Sequence, residues 1–492
     1  MKLLLTICCV ILVAVNLSFA ESSDQQTAVN AELLKELKAL EAKVASLEKR
    51  LERYENGDVR SERTASVSTT RESSDKTTVI PEESNTLVTS EEITSSSSRP
   101  LFGLGYRSHA VLSIGAYGEL KFGGVEEPGH WKNGFDAQRI VLLPTYQVTD
   151  NIIFNAEIEF EHGGIADDAD DKLTGAIELE QAYVDFLFNE HLNWRSPGVD
   201  VVPFGFINLF HEPTQFYSVN RPELDNNLIP TTWFEGSTSI YGKIVDNLNY
   251  QFQINTGLED IGENGGVPDG PYEAGISGTE ALDLARTPIG DFNQTKNALA
   301  YTLRLSYTPP FIPGLAGSTS VFFTPNVEPR GAHSDTGSGL GDSSVTMFDT
   351  EVRYRIPKTG FEFRGEFVDV WFGSPANMRA NNDGDPENNV GDSMWGFSLE
   401  AAYHIDLGDF VRNGWELVPF YRYTYENLQT GGFAGSDQNM PTGQGQRQFH
   451  TIGIALFPTP QVVLKLDYQF ALDDAPDSPH ADHFLGAVGF FF

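Results

Sequence analysis

The sequence predicts an all-β fold, a transmembrane antiparallel β-barrel of about sixteen strands preceded by a short N-terminal coiled-coil helix. Three observations predict it. Beyond residue 101 the chain falls into segments of about ten residues in which apolar and polar side chains alternate with period two. The links between these segments are alternately brief and long. In the last segment, 483–492, Phe484, Gly486, Val488, Phe490 and Phe492 share one parity, so one face is apolar up to the terminal carboxylate. Such a strand has no obvious soluble core to close onto, whereas in a transmembrane barrel alternate residues face lipid and the last strand pairs with the first.

Taken in order, residues 1–20 read as a signal peptide: Lys2 precedes an apolar run over 3–15, and Ser18-Phe19-Ala20 makes a small-x-small cleavage site before Glu21. The only cysteines, Cys8 and Cys9, lie in that segment, so the exported chain is expected to have no disulfide and no thiolate metal site. No later segment has the roughly 18 consecutive apolar residues that a membrane helix needs. Any membrane insertion must therefore use strands.

Residues 21–56 are expected to form a periplasmic coiled coil. Leu33, Leu37, Leu40, Val44, Leu47, Leu51 and Tyr54 recur at alternating spacings of four and three, the heptad seam. In a parallel assembly Lys43 would face Glu48 and Arg50 would face Glu55, while Glu36 would face Glu41 unfavourably. A narrow apolar stripe on an otherwise charged helix favours self-association over a lone surface helix. Residues 57–100 are rich in Ser, Thr and Glu and poor in large apolar residues, the composition of a disordered linker.

The barrel, 101–492, is read as strands at about 111–121, 134–148, 151–162, 176–188, 199–209, 237–245, 248–257, 297–308, 316–324, 346–356, 361–371, 395–405, 415–426, 447–457, 461–471 and 483–492. Thr149-Asp150, Asp246-Asn247, Pro357-Lys358-Thr359-Gly360 and Pro458-Thr459-Pro460 make the brief links. Long links cover 211–236, 258–296, 325–345, 373–394 and 427–446. Outer-membrane barrels have short periplasmic turns and longer external loops, which would place the coiled coil in the periplasm.

The strand faces indicate a wet interior. Leu248, Tyr250, Phe252 and Ile254 oppose Asn249, Gln251, Gln253 and Asn255. On this basis the expected pore lining is Arg139, Glu157, Glu159, Arg304, Asp349, Glu351, Arg353, Arg355, Glu362, Arg364, Glu366, Glu400, Arg422, Glu426, Lys465 and Asp467. Charges of both signs in a lumen orient polar solutes and tune ion selectivity, and they also pair across strands to hold register. The loop over 210–236 is the expected constriction, carrying His211, Glu212, Arg221, Glu223, Asp225, Trp233 and Glu235. Pro213, Pro222 and Pro230 restrict its backbone, and Ile229 and Trp233 would be costly to display to water. It should fold onto the barrel wall from inside or pack on a neighbouring subunit.

The stretch 202–208, Val-Pro-Phe-Gly-Phe-Ile-Asn, followed by 211–221 and by 228–236, Leu-Ile-Pro-Thr-Thr-Trp-Phe-Glu-Gly, resembles members of the phosphate-selective porin O/P family. Phe135-Asp136-Ala137-Gln138-Arg139 and 155–160 are similar to that family's early strands. The resemblance covers about 135–243 and implies a sixteen-stranded, usually trimeric diffusion pore narrowed by its third loop. Phosphate selectivity does not follow, because Glu351, Glu362 and Glu366 would blunt an anion track made of Arg139, Arg304, Arg353, Arg355, Arg364 and Arg422.

The formal net charge of −36 argues against a nucleic-acid partner. Asp167, Asp168, Asp170 and Asp171, and Asp383 through Glu387, have oxygen ligands at spacings calcium could use but match no full loop motif. No metal site, cofactor or catalytic residue is expected: the ten histidines show no HExxH, and no serine lies in GxSxG. His333, His450 and His480 have no convincing nucleophile beside them. The expected function is a channel for passive diffusion of small hydrophilic solutes or ions, anions included, with outer-membrane lipid and two further copies of the chain as partners. The alternative is a structural or adhesion barrel linked toward the cell wall by its coiled coil.

Overall fold

A computed structural model describes residues 112–127, 130–164, 175–260, 276–278, 281–282, 285, 299–329, 343–381, 389–408, 411, 414–432, 442–473 and 482–492. The expected signal peptide, coiled coil and linker lie outside the described residues, as do the two acidic calcium candidates, His333 and His480.

Sixteen long strands form the sheet: β1 (Leu112–Glu127), β2 (His130–Thr149), β3 (Ile152–Glu161), β4 (Ile177–Leu187), β5 (Asn193–Val201), β6 (Phe234–Val245), β7 (Leu248–Asn255), β8 (Ala300–Tyr307), β9 (Leu315–Thr324), β10 (Val345–Arg355), β11 (Phe361–Phe372), β12 (Ser393–Tyr403), β13 (Glu416–Thr430), β14 (Gln446–Thr459), β15 (Val462–Asp473) and β16 (His483–Phe491). A two-residue strand, Ile405–Asp406, extends β12 alongside β13. Each strand pairs antiparallel with the next in sequence, and β1 pairs with β16 from Tyr117↔Phe491 to Val125↔His483. The barrel is closed, so no strand edge is left to recruit another chain.

Alternation sets the two faces. Phe363, Val352, Leu399, Tyr421, Ile452, Ile454, Leu464 and Phe484 are exposed on the outside, the apolar surface a barrel presents to lipid. Their neighbours of opposite parity point inward, including Arg422, Thr451, Lys465 and Asp467, all buried. Aromatic pairs such as Phe397 with Tyr425, 5.9 Å between centroids, reinforce the outer face.

The fifth strand corrects the expectation of 199–209. It runs over Asn193–Val201, and Phe206–Leu209 is instead a single helical turn, α1, inside a loop. The shift has a local cause. Register slips between Arg195 and Gly198 around Pro197, so the inward residue changes parity from Arg195 to Asp200. Arg195 Nη1 then bonds Asp200 Oδ2 at 2.7 Å within the buried wall. Farther on, Gly205 takes φ +74°, in the left-handed region, with Ile229 Cδ1 pressed against it. The strand pattern ends there because the backbone turns into the barrel.

The first long-side connection is also shorter than its counterparts, with two residues between β1 and β2.

Candidate functional site

The connection 202–233 between β5 and β6 lies inside the barrel, and its hydrogen bonds reach the wall on several sides. Its neck is closed by Val202 N–H donating to the Trp233 carbonyl at 2.8 Å and by Asn208, which is fully buried. Asn208 Nδ2 donates to the carbonyls of Val202 (2.9 Å) and Trp233 (3.3 Å), while its Oδ1 accepts the Trp233 N–H at 2.6 Å.

From the neck the loop crosses the lumen. His211 Nδ1 donates to the Asn208 carbonyl (2.9 Å), leaving Nε2 3.4 Å from Glu157 Oε1 on β3. Pro213 presses on Gly489 of β16, where a Cβ would stand 2.6 Å from it, so only glycine fits. Phe216 lies under the Lys465 ammonium of β15 (3.5 Å), and Tyr217 under the Arg364 guanidinium of β11 (4.2 Å). Val219 N–H donates to Asp467, Asn220 accepts from Lys121 (2.9 Å) on β1, and Glu223 accepts from Gln469 (2.8 Å). A second helical turn, α2 (Leu224–Asn227), brings Asn227 to Glu426 of β13 at 2.8 Å. Burial pushes the Glu212 and Glu223 carboxyls up from their ordinary range.

Two media meet across this loop. On the long-loop side, many inward residues of β9–β13 are apolar, among them Phe322, Val345, Met347, Val368, Val370, Phe372, Met394 and Leu428. They form one buried cluster with Leu224, Leu228, Ile229 and Trp233 of the loop and with Leu258, Ile276 and Leu282 from the next long connection. The expectation of a wholly wet interior fails here. On β11 both faces turn apolar over 367–372 apart from Asp369, because the strand buries one face in lipid and the other in this internal core.

On the short-turn side lies a vestibule of about 1330 Å³. Asp150, Asn189, Lys358 and Asp406 of the short connections stand at its mouth, and Phe216, Pro222 and Asp225 of the loop at its inner end. Of the expected pore-lining residues, Arg304, Glu351, Arg353, Arg355, Arg364, Glu366, Glu400 and Arg422 border it. Arg139, Glu157, Glu159, Asp349, Glu362, Glu426, Lys465 and Asp467 point inward but do not border it. Of the expected constriction residues only Asp225 reaches it, whereas His211, Glu212, Arg221, Glu223 and Trp233 are taken up in docking the loop. Glu235 belongs to β6 rather than to the loop, because strand pairing resumes at Phe234↔Val201. Sequence reasoning missed Gln215 and Phe216 as lining residues, which carried no charge to signal them.

The vestibule charges are paired, but asymmetrically. Arg353 and Arg364 both bond Glu362 (2.8 and 2.7 Å), and Arg355 bonds Glu416 (2.9 Å). Arg353, Arg355 and Arg364 keep 25%, 31% and 17% of their side chains exposed, while Glu362 keeps none. A solute on that wall therefore meets the Arg353 and Arg364 guanidinium groups backed by the hidden Glu362, whereas Glu416 beside Arg355 keeps 27% of its side chain exposed. At the inner end the sign reverses, with Asp225, Asp349, Glu351 and Glu366 drawn together and Arg304 beside them, 3.0 Å from Glu351. Burial, then the Glu351 carboxylate, pushes the Asp225 carboxyl up to about 8.

No protein-family model matches the chain, so membership of the phosphate-selective porin O/P family finds no support there. A protein of Aquifex aeolicus, described only as uncharacterized, is 28% identical over 404 residues, 80% of this chain and 84% of its own length. Solved structures similar to the chain include an OmpF of Salmonella typhi in complex with daunomycin, 11% identical with a TM-score of 0.48, matched over 77% of this chain and 97% of that one. An anion-selective porin from Comamonas acidovorans is 10% identical with a TM-score of 0.47, over 77% and 99%. The outer-membrane channel DcaP of Acinetobacter baumannii is 12% identical with a TM-score of 0.45, over 77% and 97%.

Proposed function

We propose that the protein is an outer-membrane porin, a water-filled channel through which small hydrophilic solutes or ions diffuse passively, with no enzymatic activity. The observation that carries this reading is the charged vestibule narrowing onto a loop held inside a closed, externally apolar barrel. The exposed arginines on β10 and β11 favour anions on entry, although the carboxylates at the inner end oppose a continuous anion track. The heptad seam over 33–54 supports a trimer joined through a periplasmic coiled coil.

Purified protein in planar bilayers is expected to give discrete single-channel steps, with a reversal potential in a salt gradient on the anion side. A barrel that inserts and stays electrically silent refutes the porin reading. Silence would favour the second reading, a structural anchor reaching toward the cell wall, for which the apolar cluster filling the long-loop side of the interior speaks.

A further inference from the structure

The hairpin of β10 and β11 places like charges directly opposite each other twice in succession. Arg353 faces Arg364, and Glu351 faces Glu366. Opposed like charges destabilise a sheet unless something intervenes. For the arginines the remedy is present, since Glu362 accepts from both. For the glutamates no cation among the described residues bonds both. Arg304 and Ser318 bond Glu351 Oε2 at 3.0 and 2.6 Å, on the side of β8 and β9 away from Glu366.

Two more carboxylates converge on the same point. Asp349 lies two residues from Glu351 on the same face, and one oxygen from each of Asp349, Glu351 and Glu366 falls within 4.8 Å of the others. Asp225, the first-turn acid of α2, comes within hydrogen-bonding reach of Glu366 from the loop. Asp225 and Asp349 are fully buried. Among the described residues no donor bonds either Asp225 oxygen, Asp349 Oδ1 or Glu366 Oε1. Ser320 bonds only the other Asp349 oxygen, at 3.3 Å. Ionised carboxylates accept and cannot donate, so four unpartnered oxygens on neighbouring carboxylates call for a positive centre among them.

We propose that Asp225, Asp349, Glu351 and Glu366 bind one calcium ion, which ties the constricting loop to the barrel wall. Donors that are all carboxylate oxygen suit a hard cation. Calcium at about 2.3–2.6 Å from each oxygen bridges oxygens up to about 5 Å apart, a wider spread than magnesium's tight octahedron spans. Asp225, Glu351 and Glu366 border the vestibule, so an ion reaches the site without the loop opening. The other buried cluster, Glu157 with Glu180 and His211, is a weaker candidate: Tyr117 and Gln181 already donate to Glu157, and none of the three borders the vestibule. The sequence offered no metal site because the four ligands come from a loop and two strands. The inference stands whether or not the barrel conducts, since its test reads ion binding directly.

The test is calorimetric titration of calcium chloride into the full-length protein, purified in detergent and stripped with chelator. Asp225→Asn and Glu366→Gln are titrated alongside. The wild-type protein is expected to take up one calcium ion that each variant binds at least tenfold more weakly, with heat-modifiable gel mobility confirming that both variants fold. An anomalous calcium peak among the four carboxylates in a crystal would agree. Absence of calcium binding by the wild type overturns the proposal, with protons then neutralising the cluster. Binding that survives unchanged in both variants also overturns it and assigns the ion to another part of the chain.

Discussion

Replacing Asn208 with alanine tests whether the loop neck holds the constriction in place. The side chain makes three hydrogen bonds to the two ends of the loop. Val202 N–H still donates to the Trp233 carbonyl in the variant, and Phe204 N–H to that of Val202, so both carbonyls keep a donor. The Trp233 N–H loses its acceptor in a fully buried place. At about 1 kcal/mol net for each of the two Nδ2 bonds, plus about 1–3 kcal/mol for the stranded N–H, the neck weakens by roughly 3–5 kcal/mol. Against this stand Leu224, Leu228, Ile229 and Trp233, fully buried in the apolar cluster and contributing about 1.5–3 kcal/mol each. The apolar anchor outweighs the loss. N208A should therefore keep its loop inside the barrel but raise the undocked fraction by on the order of a hundredfold or more. Single-channel recordings should show added open-channel noise and brief steps of higher conductance, and chymotrypsin should cut after Tyr217 faster than in the wild type. Recordings and cleavage rates that match the wild type would refute the idea that Asn208 locks the neck.

Arg355→Gln and Arg353→Gln should each move the salt-gradient reversal potential toward cations, because each removes a partly exposed guanidinium from the vestibule wall. An unchanged potential in both would detach selectivity from that wall. His404 stands between Glu416 (2.8 Å) and Glu362 (3.3 Å) and meets the Tyr217 hydroxyl of the loop at 3.0 Å. His404→Gln removes the ring that joins these three groups and should destabilise the barrel by about 1–3 kcal/mol, read as a lower unfolding temperature in detergent melts. Gly489→Ala should cost roughly 1–3 kcal/mol, since its Cβ would stand 2.6 Å from Pro213 Cβ and 3.0 Å from Val463 Cγ1, and the measure is a lower temperature for loss of the folded gel band.

The barrel was legible because period-two alternation, paired with links of alternating length, is a one-dimensional signal. Gln251 and Gln253 lie inward and Phe252 outward, as their parity requires. Reading failed where one residue broke the period. Pro197 sits at the slip that reverses the inward parity of β5, and the alternation resuming at Asp200 was carried on into a loop. It failed also where both faces were apolar. Val368, Val370 and Phe372 have the composition of lipid-facing residues, and only the loop packed against them shows that they are an internal core. Within the site, the charges that alternation turned inward were readable by type but not by task. Arg221, Glu223 and His211 carry charge and polarity just as Asp225 does, yet they are used in docking the loop, while Asp225 alone among the expected constriction residues borders the vestibule.

The division of labour in the interior follows from where water is admitted. On the long-loop side the loop is held by contacts that need no partner chemistry, so Leu224, Leu228, Ile229 and Trp233 can fix its depth without specifying its charge. On the short-turn side the charged wall groups Arg304, Glu351, Arg353, Arg355, Arg364 and Glu366 border the vestibule beside apolar residues such as Phe216 and Ile356, and pairing among the charges decides what an ionic solute meets. Arg353 and Arg364 share one hidden carboxylate and leave positive surface exposed, whereas Glu351 and Glu366 face each other with no cation shared among the described residues. An anion drawn along the arginines would thus be turned back at Asp225 while that cluster is ionised and empty, and admitted farther once the cluster is neutralised. The ion proposed to fasten the loop would then also set the sign of the field at the narrow end, so that calcium added to the vestibule side should shift selectivity further toward anions.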